Sequence, residues 1–150
     1  MSTPSTAGSR AAIGLTILRV VLGLVFIAHG SQKLFVFGHA GVTGAFTQMG
    51  VPMPAFSSAV VTGVDFVGGI ALVLGAFTGI AAALIAIDML GAILLVHARN
   101  GFFLPNGAEY ALTLLSANVA VALAGPGAFA IDNILAARHR LAGATVGSRA

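Results

Sequence analysis

The longest apolar segment of the chain runs from Phe66 to Val96 and contains a single charged side chain, Asp88. One continuous α-helix over this segment would be ~46 Å long, whereas the hydrocarbon core of a bilayer is only ~30 Å thick. The segment must therefore fold back on itself. Residues 75–79, with the sequence GAFTG, offer the turn, because glycine accepts backbone conformations that other residues avoid. We predict two antiparallel membrane spans on either side of this turn.

Two further apolar segments flank this pair. The first is interrupted only by Arg19, and a cleaved signal peptide is the competing interpretation. A signal peptide has an apolar core of ~7–15 residues, which would not hold an arginine in its middle. The last segment ends at the Gly-Pro-Gly sequence of residues 125–127, where proline cannot continue a helix. The sequence predicts an all-α integral membrane four-helix bundle, with spans at about residues 11–32, 56–76, 78–97 and 109–124.

The composition agrees with a membrane protein. Of the 150 residues, 58% are hydrophobic and 7% are charged, against about 25% charged in a soluble domain. The chain has no cysteine, which excludes disulfides, thiolate metal sites and iron–sulfur clusters formed by this chain. The few basic residues lie near span ends and in the tails. This distribution indicates membrane topology, and we expect no nucleic-acid partner.

Positive charge is unevenly distributed between the two sides of the predicted bundle. On one side lie Lys33 and Arg99. The tails on the other side carry four arginines, namely Arg10, Arg138, Arg140 and Arg149. Cytoplasmic segments of membrane proteins carry an excess of Lys and Arg. We therefore predict a multi-pass protein of the bacterial plasma membrane, with both termini in the cytoplasm.

The sequence divides into three regions. Residues 1–10 are small and polar and predict a disordered tail. Residues 11–125 form the four-span transmembrane domain. Residues 126–150 combine apolar and basic side chains, which predicts a cytoplasmic interfacial helix followed by a tail. Asp132 lies near the start of that helix, where negative charge is favoured.

A second short helix is expected after the first span. Val42, Phe46 and Met49 recur at helical spacing, and Gly50 would end the helix. This pattern predicts a short helix lying on the membrane.

Three charges fall in the predicted middle of the spans: Arg19, Asp65 and Asp88. A charge near the bilayer centre costs about 2.5–3.5 kcal/mol on insertion scales, so we expect these residues to pair as a buried charge layer. Gly68 and Gly69, one turn after Asp65, would allow close approach of a neighbouring helix. The layer could serve only to hold the bundle together. Alternatively, one aspartate holds a proton and acts in a proton relay.

A second polar group is expected near the outer ends of the spans. It consists of His29, Lys33, His97, Arg99 and Glu109. The cations could simply extend to the lipid headgroups. Alternatively, the group forms a polar pocket whose donors suit quinone carbonyls, oxyanions or small acids. Haem or metal ligation by the histidines is not expected, since no pair has the i, i+4 spacing of ligands on one helix.

Six segments, taken in order, resemble the DoxX family of small four-span bacterial membrane proteins. The resemblance covers residues 13–135, and many members of that family carry glutamate where this chain has Asp65. The segments are LRVVLGLVFIAHGSQKLF, MGVPMP, GGIALVLG, DMLGAILLVHARNGFF, NGAEYALTLL and AGPGAFAID. The family resembles a subunit of an archaeal thiosulfate:quinone oxidoreductase, and some members are linked to membrane complexes that handle oxidative stress and sulfur species. It is also distantly similar to surfeit-type cargo receptors, which are not enzymes.

The resemblance implies a membrane subunit of a redox or oxidative-stress-related assembly that engages quinone or a small oxyanion. The expected partners are membrane lipids, soluble or membrane redox proteins and a small-molecule ligand. The sequence shows no redox centre, so electrons would need an added cofactor, a diffusible quinone or a partner protein. Two alternatives remain open: a small-molecule transporter or exporter, and a non-catalytic membrane anchor for soluble enzymes.

Overall fold

Four apolar helices, three long and one shorter, run back and forth in the computed structural model, which describes residues 6–147. No β-strand occurs within that range. A π-helical turn, Gln32–Phe37, extends the first helix, and another, Ile93–His97, extends the fourth. The helices are α1 (Thr6–Ser31), α2 (Gly38–Met49), α3 (Pro54–Leu74), α4 (Thr78–Ala92), α5 (Glu109–Ala124) and α6 (Ile131–Gly147).

Three of these helices are long and apolar enough to cross a membrane, namely those within Gly8–Met49, Pro54–Leu74 and Thr78–Asn100. α5 is apolar but has only 16 residues, which gives a length of ~24 Å. Large apolar side chains cover the outside of the bundle; Ile17, for example, is 61% exposed. These surfaces contact lipid acyl chains. The predicted all-α helical membrane bundle is confirmed.

The turn between α3 and α4 lies where the sequence predicts it. Gly75 adopts a left-handed conformation, with φ +67°. Its N–H donates to the carbonyl of Leu72, and the N–H of Ala76 donates to that of Ala71. This arrangement is a common way to end an α-helix, and glycine adopts it without a steric penalty.

Both short helices occur in the structure, at α2 and α6. α2 ends at Met49, one residue before Gly50, as predicted. It packs against α3: Val42 is buried, and the hydroxyl groups of Thr43 and Ser58 lie 2.8 Å apart. α2 therefore forms part of the bundle wall, because its polar face has a partner on α3.

α1 begins at Thr6, so the second half of the predicted N-terminal tail is helical. Residues 6–12 contain three alanines and no proline, and such a composition is compatible with a helix. The first half of that predicted tail, residues 1–5, lies outside the described residues. So does the end of the predicted C-terminal tail, residues 148–150.

α1 and α3 cross in close backbone contact. A Cβ atom added to Gly69 would lie 2.7 Å from the backbone nitrogen of Ile27 and 2.8 Å from the carbonyl oxygen of Gly23. One added to Gly30 would lie 2.6 Å from the backbone nitrogen of Phe66. Small residues let membrane helices pack backbone to backbone, so this crossing fixes the register of α1 against α3.

Replacing Gly69 with alanine should lower the free energy of unfolding by about 1–3 kcal/mol, because the new methyl group collides with the backbone of α1. Gly63, on the same helix, faces open space within 4 Å. Alanine there should be neutral or should stabilise α3 by up to about 1 kcal/mol. Denaturant titrations of both variants in detergent measure the difference. Equal stability of the two variants would contradict the close crossing.

The core lies between α1, α3, α4 and α5. Leu72, Ala82, Ile85 and Val121 are completely buried, and Phe26 is 2% exposed. These side chains form one contiguous apolar cluster. Arg19 lies on one side of this cluster, towards the α3–α4 turn, and Lys33, Asp65 and Asp88 lie on its other side.

Candidate functional site

Arg19 lies at the end of the bundle that contains the α3–α4 turn, which we call the Arg19 end. Its side chain is 1% exposed. The guanidinium donates to the carbonyl oxygens of Leu72 and Val73 and, at 2.9 Å, to that of Pro126. The last carbonyls of a helix have no partner within the helix, and positive charge is favoured there. Arg19 therefore caps α3 and ties it to the segment after α5.

Asp132 caps the N-terminus of α4. Its two carboxylate oxygens accept the N–H groups of Phe77 and Thr78 at 2.8 and 2.9 Å, and its own N–H donates to Gly75. Burial acts to raise the pKa of Asp132, but these hydrogen bonds and the charge of Arg19 outweigh it and hold the pKa below its ordinary value of 3.8. Asp132 lies in the first turn of α6, as predicted. Its carboxylate also reaches the N-terminus of α4, which the sequence did not predict and where Phe77 supplies no capping side chain.

An asparagine at position 132 should therefore destabilise the protein by about 1 kcal/mol near neutral pH, since one amide oxygen replaces two charged acceptors. The pKa of Asp132 is lowered on folding, so its contribution is complete above about pH 4 and is lost as the pH falls through the folded-state pKa. Unfolding curves of wild type and Asp132→Asn should converge on acidification. A stability difference independent of pH would contradict the cap.

The structure does not bring Arg19 to the two aspartates with which it was expected to pair. The crossing of α1 and α3 at Gly23 and Gly69 explains this. Because α1 and α3 are antiparallel, Arg19, one turn before Gly23, meets α3 one turn after Gly69, where that helix ends. Asp65 comes one turn before Gly69, so it lies beside a later part of α1, near Gly30 and Lys33 and away from Arg19. The expected layer of three charges is thus divided between two places.

Lys33 is the cation that reaches the aspartates. Its Nζ lies 2.5 Å from Oδ2 of Asp65, whose side chain is only 2% exposed. Asp88, on α4, lies close enough to both groups to interact with their charges. Oδ1 of Asp65 and Oδ2 of Asp88 are buried and have no hydrogen-bond partner among the described residues. We call Lys33, Asp65 and Asp88 the charge cluster.

A cavity of about 520 Å³ opens beside the charge cluster, between α2, α3 and α4. Lys33, Asp88 and His97 contribute its charged or titratable side chains, and most of its wall is apolar. The other lining residues are Phe46, Met49, Val51, Phe56, Ser57, Val60, Val61, Val64, Leu84, Ile87, Met89, Gly91, Ala92, Leu95 and Val96. The cavity is an apolar pocket with a small polar end, an arrangement typical of small-molecule sites.

The five residues of the predicted outer polar group do not converge on one point. Lys33 and His97 line the cavity. His29 is exposed and donates from Nδ1 to the carbonyl of Val25, one turn earlier. Arg99 is exposed. Glu109 accepts the N–H of Leu104 at 2.9 Å and so holds the loop before α5.

His97 has a defined orientation at the rim of the cavity. Its Nδ1 donates to the carbonyl oxygen of Asn106 at 3.0 Å. In the neutral ring, the proton on Nδ1 leaves Nε2 as a hydrogen-bond acceptor. The site therefore offers both donors, on the Lys33 ammonium, and acceptors, on His97 and Asp88.

Sequence reasoning missed two parts of this arrangement. The contribution of α2 to the cavity wall could have been suspected from Phe46 and Met49, which share one helical face. The role of Asp132 at α4 had a weaker signal. Phe77 precedes α4 and carries no side chain that can cap a helix, so the cap had to come from elsewhere in the chain.

Comparisons with known proteins agree with this fold. The model of the DoxX family matches residues 14–98. The chain is 32% identical over 120 residues to a Bacillus subtilis protein named "Putative oxidoreductase CatD", covering 80% of this chain and 85% of the relative. It is 31% identical over 138 residues to an uncharacterised membrane protein of Mycobacterium tuberculosis, covering 85% and 84%.

A third relative is the inner membrane protein YqjF of Escherichia coli, which is 30% identical over 129 residues, covering 82% of this chain and 92% of the relative. No solved structure matches the chain. The family model spans more than half of the chain, and each of these relatives is matched over most of its length. The chain is therefore a member of the DoxX family of membrane proteins.

Proposed function

We propose that this protein is the membrane subunit of a redox or oxidative-stress-related assembly and that it binds a quinone in the cavity between α2, α3 and α4. One observation carries the proposal: an apolar cavity of about 520 Å³ ends at the partly buried side chains of Lys33, Asp88 and His97. Its volume lies within the ~300–1,000 Å³ that is usual for small-molecule sites. The name of the Bacillus subtilis relative agrees with a redox role.

The charges of the site favour a quinone over a small oxyanion. Lys33 is already paired with Asp65, and Asp88 adds a second carboxyl group beside it. An anion entering the cavity would meet two carboxyl groups and only one ammonium group. A quinone is uncharged, and its ring and tail suit the apolar wall.

The polar end provides the hydrogen bonds that a quinone or quinol head group needs. The Lys33 ammonium has three N–H donors, one of which is used by Asp65, so another can serve a quinone carbonyl. His97 Nε2 can accept a quinol hydroxyl, because Nδ1 is held by Asn106. When bound, a quinone supplies the electron-carrying chemistry, and a soluble or membrane redox protein is the partner that exchanges electrons with it.

Direct binding of a short-chain quinone to the purified protein in lipid nanodiscs tests this proposal. Val61→Trp should weaken binding at least about tenfold, because the indole fills the cavity that Val61 lines. Val67→Trp, on the exposed face of the same helix, should leave binding unchanged. Equal binding by wild type and Val61→Trp would overturn the proposal.

Transport of a small molecule is the second candidate, and the charge cluster favours it. Ionisable residues inside membrane bundles often mark substrate or ion pathways. Flux into vesicles that contain only this protein would support transport, whereas bound quinone without flux supports the redox role. A non-catalytic anchor would keep its partner proteins when Lys33 and His97 are changed to alanine.

We also propose that the protein lies in the bacterial plasma membrane with the Arg19 end facing the cytoplasm. The start of α1 and the segment after α5 meet at this end, where the N–H of Ala128 donates to the carbonyl of Ala12. Arg10, Arg138 and Arg140 add positive charge on the same side. Reporter fusions to each terminus test this orientation: two periplasmic termini would contradict it.

A further inference from the structure

The charge cluster contains more acid than base. Asp65 and Asp88 lie together with Lys33, so two ionised carboxylates would leave one uncompensated negative charge. Among the residues that line the cavity with Asp88, Lys33 is the one lysine or arginine. An uncompensated buried charge is strongly unfavourable, and a buried group usually takes up a proton instead.

The unused oxygen atoms of the two aspartates indicate where such a proton would lie. Oδ1 of Asp65 and Oδ2 of Asp88 are both buried, and neither has a hydrogen-bond partner among the described residues. Asp88 lines the same cavity as Lys33, whose ammonium binds Asp65, so the two carboxyl groups adjoin each other and can form a hydrogen bond once one of them is protonated. One proton would thus remove the excess charge and provide the missing hydrogen bond.

The other titratable groups near this region are engaged elsewhere. His97 lines the cavity, but its Nδ1 donates to Asn106. His39, on α2, contacts Ser58. Glu109, on α5, holds the loop through Leu104. On α3, Asp65 is the one titratable residue.

We propose that Asp65 and Asp88 share a single proton, which makes the charge cluster neutral, and that Asp88 presents this proton to the cavity. Asp65 is fixed by Lys33, whereas Asp88 lines the cavity wall. Asp88 is therefore the member of the pair that can exchange its proton with a group bound there. The exchange with a quinol or quinone depends on the proposed function, but the shared proton does not.

Infrared spectroscopy of the ligand-free protein in nanodiscs tests the shared proton, because a protonated carboxyl group absorbs apart from carboxylates and amides. At neutral pH, wild type should show the band of one protonated carboxyl group per chain, and this band should shift in D₂O. The band should be lost in Asp88→Asn, whose amide can still donate to Asp65 and preserve the fold. Glu109→Gln, which removes a carboxyl group outside the charge cluster, should keep the band.

Two further variants make the test independent of any one substitution. Asp65→Asn leaves one lysine and one aspartate, which are neutral together without a proton, so its band should also be lost. Lys33→Met removes the cation, so both carboxyl groups should be protonated and the band area should double. Absence of the band in wild type, or its survival in both asparagine variants, would overturn the proposal. No ligand is present in this measurement, so such a result would not bear on quinone binding. The binding assay with Val61→Trp tests quinone binding separately.

Discussion

Replacing Lys33 with alanine is expected to lower the free energy of unfolding by about 3–5 kcal/mol. The side chain of Asp65 is 2% exposed and is paired with Lys33 at 2.5 Å. Without the ammonium group, Asp65 keeps a buried carboxylate with no cation, or it must take up a proton on folding. Either route costs stability, and removing one partner of a buried ion pair has effects of this size.

The measurement is a denaturant titration of Lys33→Ala in detergent micelles, with secondary structure as the signal. Arg99→Ala is the matched control, since Arg99 is a cation in the same outer region but is exposed. Its substitution should change stability by no more than about 0.5 kcal/mol. If the two variants were equally stable, Lys33 would not be compensating a buried charge.

Arg19→Ala is expected to have a comparable effect, about 3–5 kcal/mol, for a different reason. The carbonyls of Leu72, Val73 and Pro126 would lose the guanidinium donor. Leu72 keeps the N–H of Gly75, so Val73 and Pro126 are the two left unsatisfied, at about 1–3 kcal/mol each. Arg19→Lys should recover only part of the loss, because one ammonium group cannot reproduce the planar fork that reaches α3 and the segment after α5.

Hydrogen exchange distinguishes this cap from a general loss of packing. In Arg19→Ala, the amides at the Arg19 end, in residues 75–78 and 128–133, should exchange faster than those around the charge cluster. Arg138→Ala is the control, because Arg138 is an exposed cation at the same end. Uniform acceleration throughout the bundle would contradict a cap localised at the end of α3.

Hydropathy and glycine placement were sufficient to predict the fold. The turn at Gly75 and the end of α2 before Gly50 occur where local chemistry predicts them, because a chain of this apolarity has few other ways to satisfy its backbone. The beginning of α1 was less predictable, since small residues such as those before Arg10 are compatible with both a tail and a helix.

The pairing of the charges could not be read from the sequence. It depends on how α1 slides along α3, and a shift of one helical turn, ~5.4 Å, changes which residues face each other. The close contact of Gly23 with Gly69 decides this register. It places Arg19 at carbonyl groups and Lys33 at Asp65, although the approximate depths of all three residues were predicted.

A double-mutant cycle between Lys33 and Asp65 tests most directly whether Lys33 holds the buried carboxylates beside the cavity. The free energy of unfolding would be measured for wild type, Lys33→Met, Asp65→Asn and the double variant. We expect a coupling of about 2 kcal/mol or more, with the double variant more stable than the sum of single losses predicts. The parallel cycle between Arg19 and Asp65 should give a coupling within about 0.5 kcal/mol of zero. Strong coupling of Asp65 to Arg19 and none to Lys33 would contradict the account.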